Sequence, residues 1–324
     1  MHYVVMDLEW NQASDSRDAR NRLLTFEIIE IGAVKLNSRM EIVDTFEELI
    51  RPQVYDTMHH ITEKLIGIHM KDLSGCRTFD VVMKDFLAWC GEDFMFGTWG
   101  PQDLTELQKN MRFFGMEPLG KGPVRFYDIQ KLFSIAYEDQ KVRRSLEYAV
   151  DYLQIPKDIP FHRAISDAVY TARVFQMIKD PIALQRVSFD TFQLPENHRS
   201  EVHVVFDNYA KYISRLFPDK EALMADKEVL STRCYLCHHN LRKKVRWFSP
   251  NGKHYYSLSW CDKHGWMKGK IRVKKAEDDM VYAVKTTKLV GEKEVAALME
   301  RKDHIRQLRK EHRHREAQEK LGKR

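Results

Sequence analysis

Val4-Val5-Met6-Asp7-Leu8-Glu9-Trp10 runs three apolar residues into two carboxylates with a leucine between them. In a strand, alternate side chains share a face. Asp7 and Glu9 then point the same way, and Leu8 points to the opposite layer. Two carboxylates side by side at the end of a buried strand repel each other. A divalent cation relieves that repulsion, and oxygen ligands suit Mg²⁺ or Mn²⁺. An isolated Asp-x-Glu is equally an ordinary strand end with solvated acids. The question is whether further acids and a base arrive from elsewhere in the chain.

Downstream, Glu27–Leu36 is rich in β-branched residues and predicts a second strand, and residues 40–50 a third, with Asn37-Ser38 as the turn between them. Short connections make these three strands antiparallel neighbours. Met58-His59-His60-Ile61 is loop-like, with Thr62 as the cap of a short helix. The two histidines are readable as ligands or as solvent-facing residues. Apolar positions from Phe79 to Cys90 have helical spacing, between Thr78 as N-cap and Gly91 as stop.

Phe94–Gly100 is a short apolar strand, and Pro101 opens a helix directly behind it. Asp103 therefore lies where a strand ends and a helix starts, which is where open α/β sheets gather their site residues. Taken alone, it serves equally as an acid at a helix N-terminus. Residues 123–127 predict another strand, Asp128 caps a helix to about Tyr137, and Ser145–Leu153 predicts one more. From Ala164 to Ile178, small residues form one face of a helix that packs closely on a sheet. His162 and Asp167 are five apart, about 140° round a helix. They cannot share a helical face, so His162 belongs to the loop made by Pro160, ahead of the helix.

The 324 residues suffice for one sizeable domain and one or two small ones. No apolar run is long enough to span a bilayer, and the first residues lack the pattern of a signal peptide. A cytoplasmic protein without membrane partners is expected. Five cysteines, two of them isolated, do not form a secreted disulfide framework. The net charge of +6 is unevenly spread: eleven basic residues against Asp262 give residues 240–275 a charge of +10, and residues 1–238 carry −7. An acidic first part followed by a basic second part fits a polyanionic partner; a solvated basic face is the plainer alternative.

Asp7-x-Glu9, Asp103 after a strand and His162-x-x-x-x-Asp167 resemble the three motifs of the DEDDh 3′→5′ exonucleases, in the DnaQ-like, ribonuclease H-fold superfamily. The resemblance covers about the first 180 residues. Glu27–Ala33 and Thr98–Leu104 are similar to the Eri and histone-mRNA exonuclease group and its bacterial KapD-like relatives, and Asp7–Gln12 looks like the bacterial members.

The resemblance implies a ribonuclease H-like α/β mixed sheet with flanking helices. It implies four carboxylates, Asp7, Glu9, Asp103 and Asp167, holding two Mg²⁺ or Mn²⁺ ions about 3.5–4 Å apart, with His162 as general base. The reaction expected is release of nucleoside 5′-monophosphates from a free 3′ end of single-stranded nucleic acid, RNA slightly before DNA. Trp10 and Phe161 are candidates to stack on the terminal base, or are core or rim aromatics. The rival reading is a non-enzymatic binding protein on the same fold, a KapD-like regulator of a sporulation pathway.

In the second half, residues 181–199 read as a linker. Residues 201–217 carry apolar positions at helical spacing, with 202–206 also readable as a strand, and a short helix follows from Asp219 to about Asp226. Cys234-x₂-Cys237 and Cys261-x₂-His264 form two pairs that can close a tetrahedral structural Zn²⁺ site. Strands around the turn Ser249–Gly252 complete a small zinc-ribbon-like domain that depends on its metal to fold. His238, His239 and His254 compete with His264 as fourth ligand. Arg242, Lys243, Lys244, Arg246, Lys268, Lys270 and Arg272, interleaved with Trp247 and other aromatics, make this region a candidate single-strand binder. The domains expected are 1–182 (exonuclease), 183–229 (linker and helices), 230–290 (basic ribbon) and 291–324 (basic helical tail). Protein partners are not legible.

Overall fold

The computed structural model describes residues 1–15, 20–139, 142–276 and 278–321. The predicted loop 11–24 and the predicted tail 291–324 thus each fall partly outside the described residues, at 16–19 and 322–324. The chain divides into two compact units, 1–193 and 194–324.

The first unit holds strands β1 (His2–Asn11), β2 (Glu27–Leu36), β3 (Ile42–Leu49), β4 (Phe94–Thr98), β5 (Val124–Asp128) and β6 (Ser188–Asp190). Its helices are α1 (Arg20–Leu23), α2 (His60–Ile66), α3 (Met70–Leu73), α4 (Phe79–Cys90), α5 (Gln102–Phe113), α6 (Ile129–Tyr137), α7 (Leu146–Tyr152), α8 (Ala164–Met177) and α9 (Pro181–Leu184). The sheet order is β3-β2-β1-β4-β5-β6. β1, β2 and β3 are antiparallel neighbours as expected, β4 and β5 run parallel to β1, and β6 returns antiparallel.

Alternation along β1 sorts its side chains between two layers. Val4, Met6 and Leu8 join Phe79, Phe86 and Leu107 on one face of the sheet. Val5 joins Ala168, Ala172 and Phe175 of α8 on the other. Asp7 and Glu9 share the Val5 face, so they look toward α8.

Helix caps confirm several local readings. Asp128 accepts the Lys131 N–H at 2.9 Å, and Ser145 accepts the Tyr148 N–H at 3.2 Å. Gly91 ends α4 with φ +80°. Thr62 is a correction: it lies inside α2, whose N-cap is His59.

The second unit differs from expectation. Residues 201–217 form strands β7 (Val202–Val205) and β8 (Tyr209–Ile213), not a helix. Spacing of three to four arose because Asp207-Asn208 turns the chain between two short strands. Then come α10 (Lys220–Ala225), β9 (Arg242–Phe248), β10 (His254–Cys261), β11 (Gly265–Lys275), β12 (Val281–Leu289) and α11 (Glu292–Leu321). The strands form one antiparallel sheet, β7-β8-β12-β11-β10-β9.

The predicted hairpin is present as β9 and β10, but it is one edge of a six-stranded sheet rather than a free-standing ribbon. One face of this sheet carries Tyr212, Ile271 and Ala283 under Leu223 of α10; Val245, Tyr256 and Leu258 pack under Val295 and Leu298 of α11. The predicted linker 183–229 is likewise divided: β6 belongs to the first sheet, β7 and β8 to the second. Among the described residues, no helix is long and apolar enough to cross a membrane.

Candidate active site and metal centre

The acidic site is built by close approach of a helix to a strand. Gly32 lies opposite Asp7 in the β1–β2 pairing. A Cβ on Gly32 would lie 2.0 Å from the Ile165 nitrogen and 2.1 Å from the Ala164 carbonyl carbon. The start of α8 therefore rests directly on the β2 backbone, which only glycine permits. An ion pair between buried Glu30 and part-exposed Arg163 fixes the approach. Glu30, fully buried and opposite Glu9, receives Arg163 Nε at 2.9 Å and Nη2 at 2.7 Å, and the Ala164 N–H at 3.3 Å.

Asp167, in the first turn of α8, is brought over β1. One carboxylate oxygen from each of Asp7, Glu9 and Asp167 lies within 4.8 Å of the others. The Asp167 Oδ1 atom is buried and makes no hydrogen bond among the described residues. Asp103 is buried at the start of α5 and accepts the Leu8 backbone N–H, but it stands outside that trio. His162 sits ahead of α8, exposed, on left-handed backbone with φ +66°. Its backbone N–H donates to the Asp167 carboxylate.

The electrostatics follow from this crowding. Burial, then the charges of Asp103 and Glu9, raise the Asp7 carboxyl well above its ordinary value. Burial and Glu30 push Glu9 to about 8. Burial lifts Asp103 to about 7 and Asp167 to about 6. Carboxyls so displaced are ones a cation would return to the ionised form. The all-oxygen donor set and the orphaned Asp167 oxygen fit Mg²⁺ or Mn²⁺.

The sequence reading named all five of these positions as candidates and missed the residues that bring them together: Gly32, Glu30 and Arg163. The signal was an acid inside the apolar run Ile28-Ile29-Glu30-Ile31, which demands a buried partner.

Trp10 and Phe161 both have partners of their own. Trp10 tilts against Phe26 at 5.4 Å, and Phe161 stacks on the buried Tyr170 at 4.4 Å. His59 donates its backbone N–H to Asn11 Oδ1 at 2.9 Å, and its ring lies 4.6 Å from that of His60.

In the second unit, the ligand atoms of Cys234, Cys237, Cys261 and His264 lie within 4.8 Å of one another. His264 Nδ1 is 3.5 Å from the sulfurs of Cys234 and Cys261, and Cys237 and Cys261 sulfurs are 3.6 Å apart. A tight turn with His238 at φ +58° returns two backbone hydrogen bonds across the first pair, Cys234 N–H to His239 O and His238 N–H to Cys234 O, both 2.9 Å. The His239 N–H aimed at its sulfur brings the Cys237 thiol down to about 6. His239 Nδ1 is engaged with the Cys237 carbonyl, so His264 is the imidazole that completes the set. Three sulfurs and one nitrogen fit a tetrahedral metal.

The basic residues separate into two groups. Arg242, Lys243, Lys244, Arg246, Lys270 and Arg272 are exposed. Lys268 is part-buried, with Nζ 3.8 Å from Glu294. Strand register sets Arg272 opposite His254 and Lys270 opposite Tyr256, on one face. Trp247 is a correction to the nucleic-acid set. Its indole N–H donates to the Leu230 carbonyl at 3.0 Å, and its ring covers Gly269, where a Cβ would meet Cη2 at 2.5 Å. It packs the sheet rather than offering a free ring.

Comparison with known proteins bears on the first unit. A family model described as "Exonuclease" matches residues 4–175, more than half of the chain. The human protein named 3′-5′ exoribonuclease 1 is 24% identical over 171 residues, covering 49% of this chain and 48% of that protein. The PolC-type DNA polymerase III of Listeria welshimeri is 25% identical over 188 residues, covering 58% of this chain and 12% of that protein. The chain thus spans about half or less of the length of these curated relatives. Among solved structures, the nuclease domain of 3′hExo, described as a DEDDh family member bound to rAMP, aligns at 21% identity and a TM-score of 0.49, covering 59% of this chain and 96% of that one.

Proposed function

The chain belongs to the exonuclease family, and from that premise we propose that it removes nucleoside 5′-monophosphates, one at a time, from a free 3′ end of single-stranded nucleic acid. The observation that carries the proposal is the trio of Asp7, Glu9 and Asp167 oxygens within 4.8 Å, with one Asp167 oxygen buried and unsatisfied. These three would hold divalent metal, with Asp103 buried beside them. Two metal ions, when bound, supply the positive charge that activates water and steadies the leaving 3′ oxygen. His162 accepts the proton of the attacking water, work that an imidazole ring at the exposed rim of the site suits.

RNA is the preferred strand in this reading; the human relative is named an exoribonuclease, whereas the Listeria relative is a DNA polymerase. Cys234, Cys237, Cys261 and His264 would hold a structural Zn²⁺. The second unit would grip the strand through Arg242, Lys243, Lys244, Arg246, Lys270 and Arg272, its cations meeting phosphates. Trp10 and Phe161, both part-buried, keep their proposed role at the terminal base.

The deciding experiment incubates the purified protein with matched 5′-labelled single-stranded RNA and DNA, with Mg²⁺ or Mn²⁺, and with free or blocked 3′ ends. A stepwise ladder that requires metal and a free 3′ end is the expected result. Metal-loaded protein that binds both strands and shortens neither would leave a binding platform in place of an enzyme.

A further inference from the structure

The second unit contains a cavity of about 320 Å³, distinct from the acidic site, between one end of its sheet and the loop over residues 228–235. That volume is within the range of small-molecule sites. A row of three side chains crosses three strands at its floor. His203 on β7 lies opposite Tyr212 on β8, and Tyr212 lies opposite Lys285 on β12. The His203 and Tyr212 rings are 4.8 Å apart, and the Lys285 ammonium stands 4.8 Å from the centre of the Tyr212 ring.

Lys285 is 6% exposed. A buried ammonium is costly and has three protons to place. Its Nζ donates to the Glu228 carbonyl at 2.5 Å and is 3.4 Å from that of Ser231. The Tyr212 hydroxyl is engaged with the Glu201 carboxylate and the Tyr235 hydroxyl with the Leu289 backbone. Arg233, exposed, and the Glu228 side chain also line the cavity.

We propose that this cavity binds one nucleoside monophosphate unit. Lys285 and Arg233 supply cations for its phosphate, the His203 ring with Val205 and Ala210 supplies a wall for its base, and Glu228 supplies an acceptor for its donor groups. Inorganic phosphate would use the cations alone and leave most of the space, the ring wall and the carboxylate without a role. The same unit comes from two sources, a free 5′-monophosphate or one nucleotide of a longer strand.

The test uses the full-length protein without added Mg²⁺, photolabelled with 8-azidoadenosine 5′-monophosphate, with peptides mapped by mass spectrometry. The label is expected within residues 198–212, 228–238 or 281–289. In parallel calorimetric titrations, AMP should bind, and adenosine and inorganic phosphate should each bind at least about tenfold more weakly. Arg233→Ala and His203→Ala, at exposed positions that the fold tolerates, should each weaken AMP about tenfold. An oligonucleotide with a blocked 3′ end that displaces the label assigns the site to a nucleotide within a strand; one that does not assigns it to the free nucleotide. Labelling confined to residues 1–193, phosphate binding as well as AMP, or both variants binding as the parent does would each overturn the proposal.

Discussion

Each carboxylate of the candidate site is set by what surrounds it. Asp7→Ala or Asp167→Ala removes one of the three oxygens proposed to hold metal, and 3′-end shortening should fall at least about a hundredfold. His162→Ala takes away the proposed proton acceptor and leaves the trio whole. Its rate should fall about 10²-fold or more with metal binding retained. A His162→Ala protein that cleaves at the parent rate would remove the histidine from the reaction.

The displaced carboxyls also predict how pH acts. Glu9 near 8, Asp103 near 7, Asp167 near 6 and the raised Asp7 all lie above the unfolded values of about 4. Without metal the folded state therefore binds more protons than the unfolded chain between about pH 4 and 8. Stability contributed by these groups is present at the acid end and is lost as pH rises through that window. Thermal melts of metal-free protein should show the melting temperature falling from pH 5 to 8. Added Mg²⁺ should raise it more at pH 8 than at pH 5, because the ion competes with protons for the same oxygens. A flat profile would mean that the acids are not crowded in solution.

Between elements, the contact that matters most is α8 on β2. It joins Asp167 and His162 to Asp7 and Glu9, which are more than 150 residues away in the chain. Gly32→Ala places a methyl group 2.0 Å from the Ile165 nitrogen, so the helix must move. We expect destabilisation of about 1–3 kcal/mol in chemical denaturation, together with weaker metal binding, although no ligand has been changed. Unchanged metal affinity would show that the helix position is not what assembles the site.

Whereas β1 and α8 could be read locally, β7 and β8 could not. Val202, Val205, Phe206, Tyr209 and Ile213 satisfy a helical period, and the choice between helix and strands lay with β12. Its backbone pairs with β8 and makes a sheet of both.

As a whole, the chain joins an acidic unit to a basic one, and the basic unit is more than its cysteines. The sequence suggests a small ribbon unable to fold without metal. The structure gives it two apolar clusters on a six-stranded sheet besides the cluster around the cysteines. Chelation or Cys237→Ser should therefore loosen residues 232–240 and 261–266, read as faster hydrogen exchange, while exchange in β11 and β12 stays slow. Loss of the entire sheet would restore the metal-dependent ribbon. Charge reversal at Lys270 and Arg272 should weaken binding to single-stranded nucleic acid and lower the slope of log affinity against log salt by about one for each phosphate contact removed. A slope equal to that of the parent would place the strand elsewhere.

The sequence by itself determined the order of the three N-terminal strands and the family, and it proposed the five site positions and the cysteine-histidine set. These depend on alternation, on caps and on spacing within short segments, where local geometry is nearly fixed by residue type. Only the tertiary structure decided which groups converge. It drew Asp7, Glu9 and Asp167 into one trio and left Asp103 beside it, and it turned Trp247 into the sheet's packing. It also chose His264 over its neighbours and closed a cavity around Lys285. Each of those outcomes depends on an approach between segments distant in sequence: helix on glycine, indole on glycine, or lysine against a loop. Close packing decides such approaches, and no single segment carries the space that the other will fill.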